Sequence, residues 1–134
     1  MLLLSDIKTQ LIAKIKFQET PIVLNDTDYA TFTLEGAQRL YVDEGLDTWD
    51  IDYNKTLSQL NKTFSLTERE YILVASQIAF FNQIKNFWDT IISYSTNAIS
   101  VTGANNIFKS INGNVVDLET RLSKLAFKFT HKSV

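Results

Sequence analysis

From Phe64 to Ser95 the chain reads FSLTEREYILVASQIAFFNQIKNFWDTIISYS, with neither proline nor glycine. Tyr71, Val74, Ala75, Ile78, Phe81, Trp88, Ile91 and Ile92 recur at helical steps, and Leu73, Phe80, Ile84, Phe87 and Tyr94 widen that apolar face. The polar remainder is a stripe at Asn82, Asn86, Asp89 and Ser93. This pattern predicts one long central helix over about 66–95. Ser65 and Glu68 have the spacing of a capping box at its start. At about 1.5 Å per residue the helix is roughly 40–45 Å long. A helix apolar over most of its circumference has to be surrounded, by its own chain or by neighbouring subunits.

The other elements read around it. Residues 5–17 predict a short amphipathic helix, with Ser5 or Asp6 as cap, Ile7, Leu11, Ile12 and Ile15 on one side and Lys8, Lys14 and Lys16 on the other. Pro21 ends it, and Ile22–Leu24 can be extended. Tyr29 to about Glu44 predicts a second helix, with Phe32, Ala37, Leu40 and Tyr41 apolar, Gly36 a weak spot and Gly45 a stop. Trp49-Asp50-Ile51-Asp52-Tyr53 alternates with the period of a half-buried strand, whose partner has to come from Ile22–Leu24, from the later loop or from another subunit. Thr56–Leu60 reads as one helical turn. Thr96–Gly113 is polar and rich in small residues, and predicts either a hairpin turning near Gly103 or a long ordered loop. A last helix is predicted over 114–129, with Asn114 as N-cap, an Asp117–Arg121 pair, and a stripe of Val115, Leu118, Leu122, Leu125 and Phe129. The expected fold is a mainly α single domain over 1–134. About four helices gather around the long central one, with a minor β-hairpin or extended loop at 96–113.

Composition narrows the chemistry. At 134 residues one core suffices without a metal or disulfide, and the absence of cysteine excludes thiolate chemistry. No apolar run reaches the length of a membrane span, and Met1-Leu2-Leu3-Leu4 is too short for a signal-peptide core, so a cytosolic product without membrane contact is expected. The net charge of −2 is unevenly spread. Between Glu19 and Asp52 the acids Glu19, Asp26, Asp28, Glu35, Asp43, Glu44, Asp47, Asp50 and Asp52 face a single base, Arg39. After Glu119 come Arg121, Lys124, Lys128, His131 and Lys132, and no acid. Such asymmetry suits head-to-tail contact between identical subunits, or else describes two solvated faces.

Candidate sites are few. Asp43-Glu44, Asp47, Asp50 and Asp52 form the one acidic cluster, but it lacks EF-hand spacing and the glycine of that sharp turn, so no metal is expected. Gly103 and Gly113 stand far from any phosphate-binding fingerprint, and lone His131 offers no triad, so neither a cofactor nor catalysis is expected. Lys124, Phe127, Lys128, Phe129 and Lys132 mix aromatic anchors with charge. They can pack under the domain, dock on a protein partner, or touch nucleic acid in a small helical regulator. The acidic balance of the whole chain disfavours strong DNA binding.

The order of these signals carries a resemblance. A short first helix is followed by Asn25-Asp26-Thr27-Asp28-Tyr29 opening a helix that ends in Tyr41-Val42-Asp43. An acidic, aromatic connection then leads to Thr67-Glu68-Arg69-Glu70-Tyr71-Ile72-Leu73, and the segment NAISVTGAN and a closing amphipathic helix complete the chain. Over about Leu4 to Phe129 this resembles the small helical head–tail connector (neck or adaptor) proteins of tailed bacteriophages, with no invariant motif to match. The resemblance implies a structural virion protein in the neck, made in the host cytoplasm. It implies a closed homo-oligomeric ring of about twelve copies. The ring would sit beneath the portal protein, above a downstream neck or tail protein, lining the double-stranded DNA passage. It further implies portal docking by Lys124, Phe127, Lys128, Phe129 and Lys132. Inter-subunit contacts would come from Ile99, Val101, Ile107 and Phe108 in the 96–113 segment and from Asp43, Glu44 and Asp47.

Overall fold

The structure, a computed structural model, describes residues 2–14, 26–94 and 98–131, and side chains over 2–13, 27–86, 109 and 111–128. Within them the chain is mainly helical, with a small antiparallel sheet: β1 (Leu2–Leu3), α1 (Leu4–Lys14), α2 (Asp26–Glu44), α3 (Trp49–Asp52), β2 (Tyr53–Asn54), β3 (Gln59–Leu60), α4 (Leu66–Tyr94) and α5 (Ala98–His131).

The central helix is α4, and it starts as its sequence predicts. The Glu68 N–H donates to Ser65 Oγ (3.1 Å) while the Ser65 N–H donates to Glu68 Oε1 (2.9 Å), so two otherwise orphaned donors are satisfied. From Tyr71 to Ile78 every residue is buried, which over two turns leaves no solvated face. Its own chain surrounds this stretch. Ile7 and Leu11 of α1, Phe32, Ala37 and Leu40 of α2, and Ile111, Leu122 and Leu125 of α5 join Tyr71, Ile72, Val74, Ile78, Phe80 and Ile84 in one core. Asn82 and Asn86 open the predicted polar stripe and are exposed; the side chains of Asp89 and Ser93 lie outside the described set, as does Ile15 of the first predicted helix.

Helix α2 begins three residues before the predicted Tyr29 and stops as Gly45 dictates. Gly45 takes φ 68°, its N–H donates to the Val42 carbonyl (3.1 Å), and the Leu46 N–H donates to the Tyr41 carbonyl (2.8 Å). These two bonds are a Schellman cap, in which the left-handed residue costs least as glycine. Gly36, expected to weaken the helix, lets α2 approach α4. A Cβ there would lie 2.6 Å from Ser76 Oγ and 2.7 Å from the Ile72 carbonyl oxygen. The Ser76 hydroxyl donates to that same carbonyl (2.6 Å), so neither neighbour is free to give way.

Four expectations are corrected. Trp49–Tyr53 is not a strand: α3 is a single helical turn, and only Tyr53–Asn54 is extended. Apolar residues at 49 and 53 fit either period over so short a run, and as a turn they stack Trp49 on Tyr53 at 5.3 Å, leaving Ile51 exposed. The strand's partner is also new. Sheet order is β1-β3-β2, with Leu2 opposite Leu60 and Tyr53 opposite Leu60; Ile22–Leu24 lies outside the described residues. Thr56–Leu60, expected as a helical turn, is the β2–β3 connection and β3 itself.

The fourth correction is the largest. Neither a hairpin nor a loop fills 98–113, and the last helix does not begin at Asn114. A single helix, α5, runs from Ala98 to His131 through Gly103 and Gly113. Two interior glycines cost about 1 kcal/mol each relative to alanine. The stripe Ile111–Val115–Leu118–Leu122–Leu125 packs on α4 across Gly113 and offsets that cost. The minor β element therefore exists, but at the N-terminus and residues 53–60. Glu70 near the start of α4 pairs with Arg121 near the end of α5 (2.5 Å), so the two form an antiparallel hairpin.

Candidate interaction surfaces

The acidic run is divided by the fold into residues that hold it together and residues that face water. Tyr41 Oη donates to Asp52 Oδ2 (2.6 Å), and Thr48 Oγ1 donates to the same oxygen (2.7 Å). These two donors hold the Asp52 carboxyl below the usual carboxylate range, while burial first and Asp52 second push the Tyr41 phenol well up. Tyr71 Oη donates to Asp43, and burial together with that carboxylate raises the Tyr71 phenol in the same way. Lys62 Nζ lies 3.2 Å from Glu68 and 3.9 Å from Glu44. Burial works against the Glu68 carboxylate, but the Ser65 N–H, Glu44 and Lys62 outweigh it and keep its pKa low. Asp43 and Glu44, expected at a subunit contact, are thus engaged within the chain. Asp47 and Asp50 are exposed. Among the described residues no group of His, Asp or Glu side chains converges as a metal site.

The basic end is likewise divided. Arg39 grips Glu119 through both guanidinium nitrogens (3.0 and 2.6 Å), and that pairing raises the Arg39 pKa. Arg121 turns to Glu70, not to the expected Asp117 one turn back. Lys124, Phe127 and Lys128 remain exposed on the last turns of α5, Phe127 by 61%. The side chain of Phe129, and all of Lys132, lie outside the described residues. Ile99, Val101, Ile107 and Phe108 fall on the first half of α5, not on a contact loop, and their side chains are outside the described set.

The pairings also fix where these groups sit. Arg39 and Tyr41 are two residues apart on α2, so they point about 200° apart around it. Arg39 reaches α5 through Glu119; Tyr41 reaches α3 through Asp52 and through Trp49, whose ring stands edge-on at 5.2 Å. Helices α3 and α5 therefore flank α2 on opposite sides. Asp43 with Tyr71, and Phe32 with Phe80 (6.0 Å), make α2 antiparallel to α4. The C-termini of α2 and α5 consequently share one end of the bundle, with α3 beside them. At that end an acidic flank (Asp47, Asp50) and a basic flank (Lys124, Lys128) stand on opposite sides.

Exposed apolar residues accompany both flanks; sequence reasoning named Phe127 and missed Ile51 and Val42. Ile51, read as part of a buried strand face, is 77% exposed beside Asp50, and Val42 is 78% exposed near the end of α2. Helical phase was the available signal for Val42, which lies off the Phe32–Leu40–Tyr41 stripe. No helix among the described residues is long and apolar enough to cross a membrane. No family model, curated protein or solved structure matches this chain.

Proposed function

We propose that this protein is a structural component of a tailed-phage virion, a head–tail connector that forms a ring beneath the portal. It would join the portal to a downstream neck or tail protein and line the DNA passage of the neck, after synthesis in the host cytoplasm. The observation that carries this reading is the pair of oppositely charged flanks at one end of the helical bundle. A subunit in a closed ring meets its neighbours through two different faces at one height, and those faces have to be complementary.

Two further features support it. Helices α4 and α5, of 29 and 34 residues, are about 43 and 51 Å long at 1.5 Å per residue. A compact domain of this size has a radius of gyration near 14 Å, so α5 is long enough to act as a strut. The mild net charge of −2 suits a wall along which DNA slides without being held. A nucleic-acid regulator is less well supported, because Arg121 is committed to Glu70 and Lys124 and Lys128 share α5 with Asp117 and Glu119.

Deletion of the gene from the phage genome tests the proposal. The expected product is DNA-filled heads and separate tails, with tailed particles restored by expression in trans. Intact virions from the deletion would overturn it.

A further inference from the structure

The two flanks differ in sign but are built alike. On one, Asp47 and Asp50 are exposed where α2 hands over to α3, with Ile51 protruding beside them. On the other, Lys124 and Lys128 are exposed on α5 with Phe127 between them in sequence. An apolar anchor within a charged rim is the make-up of a docking patch. The complement of each patch is carried by the same chain, on the opposite side of α2 and at the same end. That placement favours a second copy as the occupant over an unrelated protein.

Resting on the connector reading, we propose that Lys124, Phe127 and Lys128 of one copy dock on Asp47, Asp50 and Ile51 of the next. The contact is heterologous: each copy offers its basic flank to one neighbour and its acidic flank to the other, and a rotation that closes gives a ring. This reassigns the end of α5 from the portal to a sister subunit. The pairs sit at an exposed rim, so salt weakens the contact over the range where the Debye length falls from about 10 Å at 0.1 M to about 3 Å at 1 M.

Charge reversal tests it, with circular dichroism and thermal melting first confirming that each exposed-site variant folds like the parent. Asp47→Lys/Asp50→Lys and Lys124→Glu/Lys128→Glu are compared with the parent by sedimentation velocity, alone and with a candidate portal ring. Each variant alone is expected to associate at least tenfold more weakly. An equimolar mixture is expected to recover the parent assembly, because every contact in an alternating ring again pairs opposite signs. Undiminished assembly by both variants on the portal leaves the connector reading standing and overturns the lateral contact. Loss with the basic-flank variant that the mixture does not rescue gives α5 to the portal, and also overturns it. Self-association with this charge pattern but indifference to the portal supports the contact and removes the connector reading. A parent chain that neither self-associates nor binds the portal overturns both.

Discussion

Two glycines on two helices answer opposite questions. At Gly36 a methyl group would collide with a backbone carbonyl and a hydroxyl already bonded to it, so Gly36→Ala is expected to cost about 1–3 kcal/mol as overpacking. At Gly113 an added Cβ meets nothing within 4 Å. There the same substitution only removes backbone freedom, and a gain of about 0.5–1 kcal/mol is expected. Urea denaturation of both variants reads the contrast directly. Tyr41 makes a different kind of residue-scale claim. Asp52 and Glu68 have folded pKa values below their unfolded ones. Their contribution is therefore present above the ordinary values of 3.8 and 4.5 and is lost as pH falls through the lowered ones. Tyr41→Phe removes the first donor to Asp52, at a cost of about 1 kcal/mol at pH 7 for a part-exposed charged hydrogen bond. The difference between parent and variant in urea midpoint is expected to hold above the ordinary Asp52 value of 3.8 and to narrow as pH falls below it, and a gap independent of pH would count against this role. Residue identities at caps and stops were legible: the Ser65–Glu68 box and the Gly45 stop each follow from local chemistry. The close approach at Gly36 was not, because it depends on which helix crosses α2 and where.

At the scale of elements, the amphipathic helices were readable and the exceptions share a cause. Trp49–Tyr53 is too short for a period of 2 to be told from one of 3.6, and a stacked aromatic pair decided it. In α5 the glycines and the polar run from Thr102 to Asn106 read as a break. Yet Ile107, Ile111, Val115 and Leu118 continue one stripe at helical steps straight through Gly113. Local propensity argued for a loop, packing on α4 argued for a helix, and packing prevailed. Asn112 separates the two descriptions, since it is exposed and lies within the segment expected to be a loop. Proline in a loop there would be tolerated, whereas in the interior of α5 Asn112→Pro is expected to cost about 3 kcal/mol or more. Its urea midpoint, set beside that of Gly113→Ala, checks the continuity of the helix.

For the whole molecule, the sequence carried the charge asymmetry but not its arrangement. An acidic first half and a basic last stretch were plain in the chain; that they share one end of the bundle on opposite flanks depends on Arg39 and Tyr41 pointing apart on α2. The fold also engages Asp43, Glu44 and Arg121 in pairs within the chain, although Asp43 and Arg121 stay exposed. What is left outside these pairs is a smaller, more specific set. The measurement that tests the connector account most directly is the mass of the purified protein by light scattering over a concentration series, with and without the cognate portal ring. The account predicts a discrete ring, or a monomer that becomes one on the portal. A monomer or dimer indifferent to both concentration and portal would contradict it.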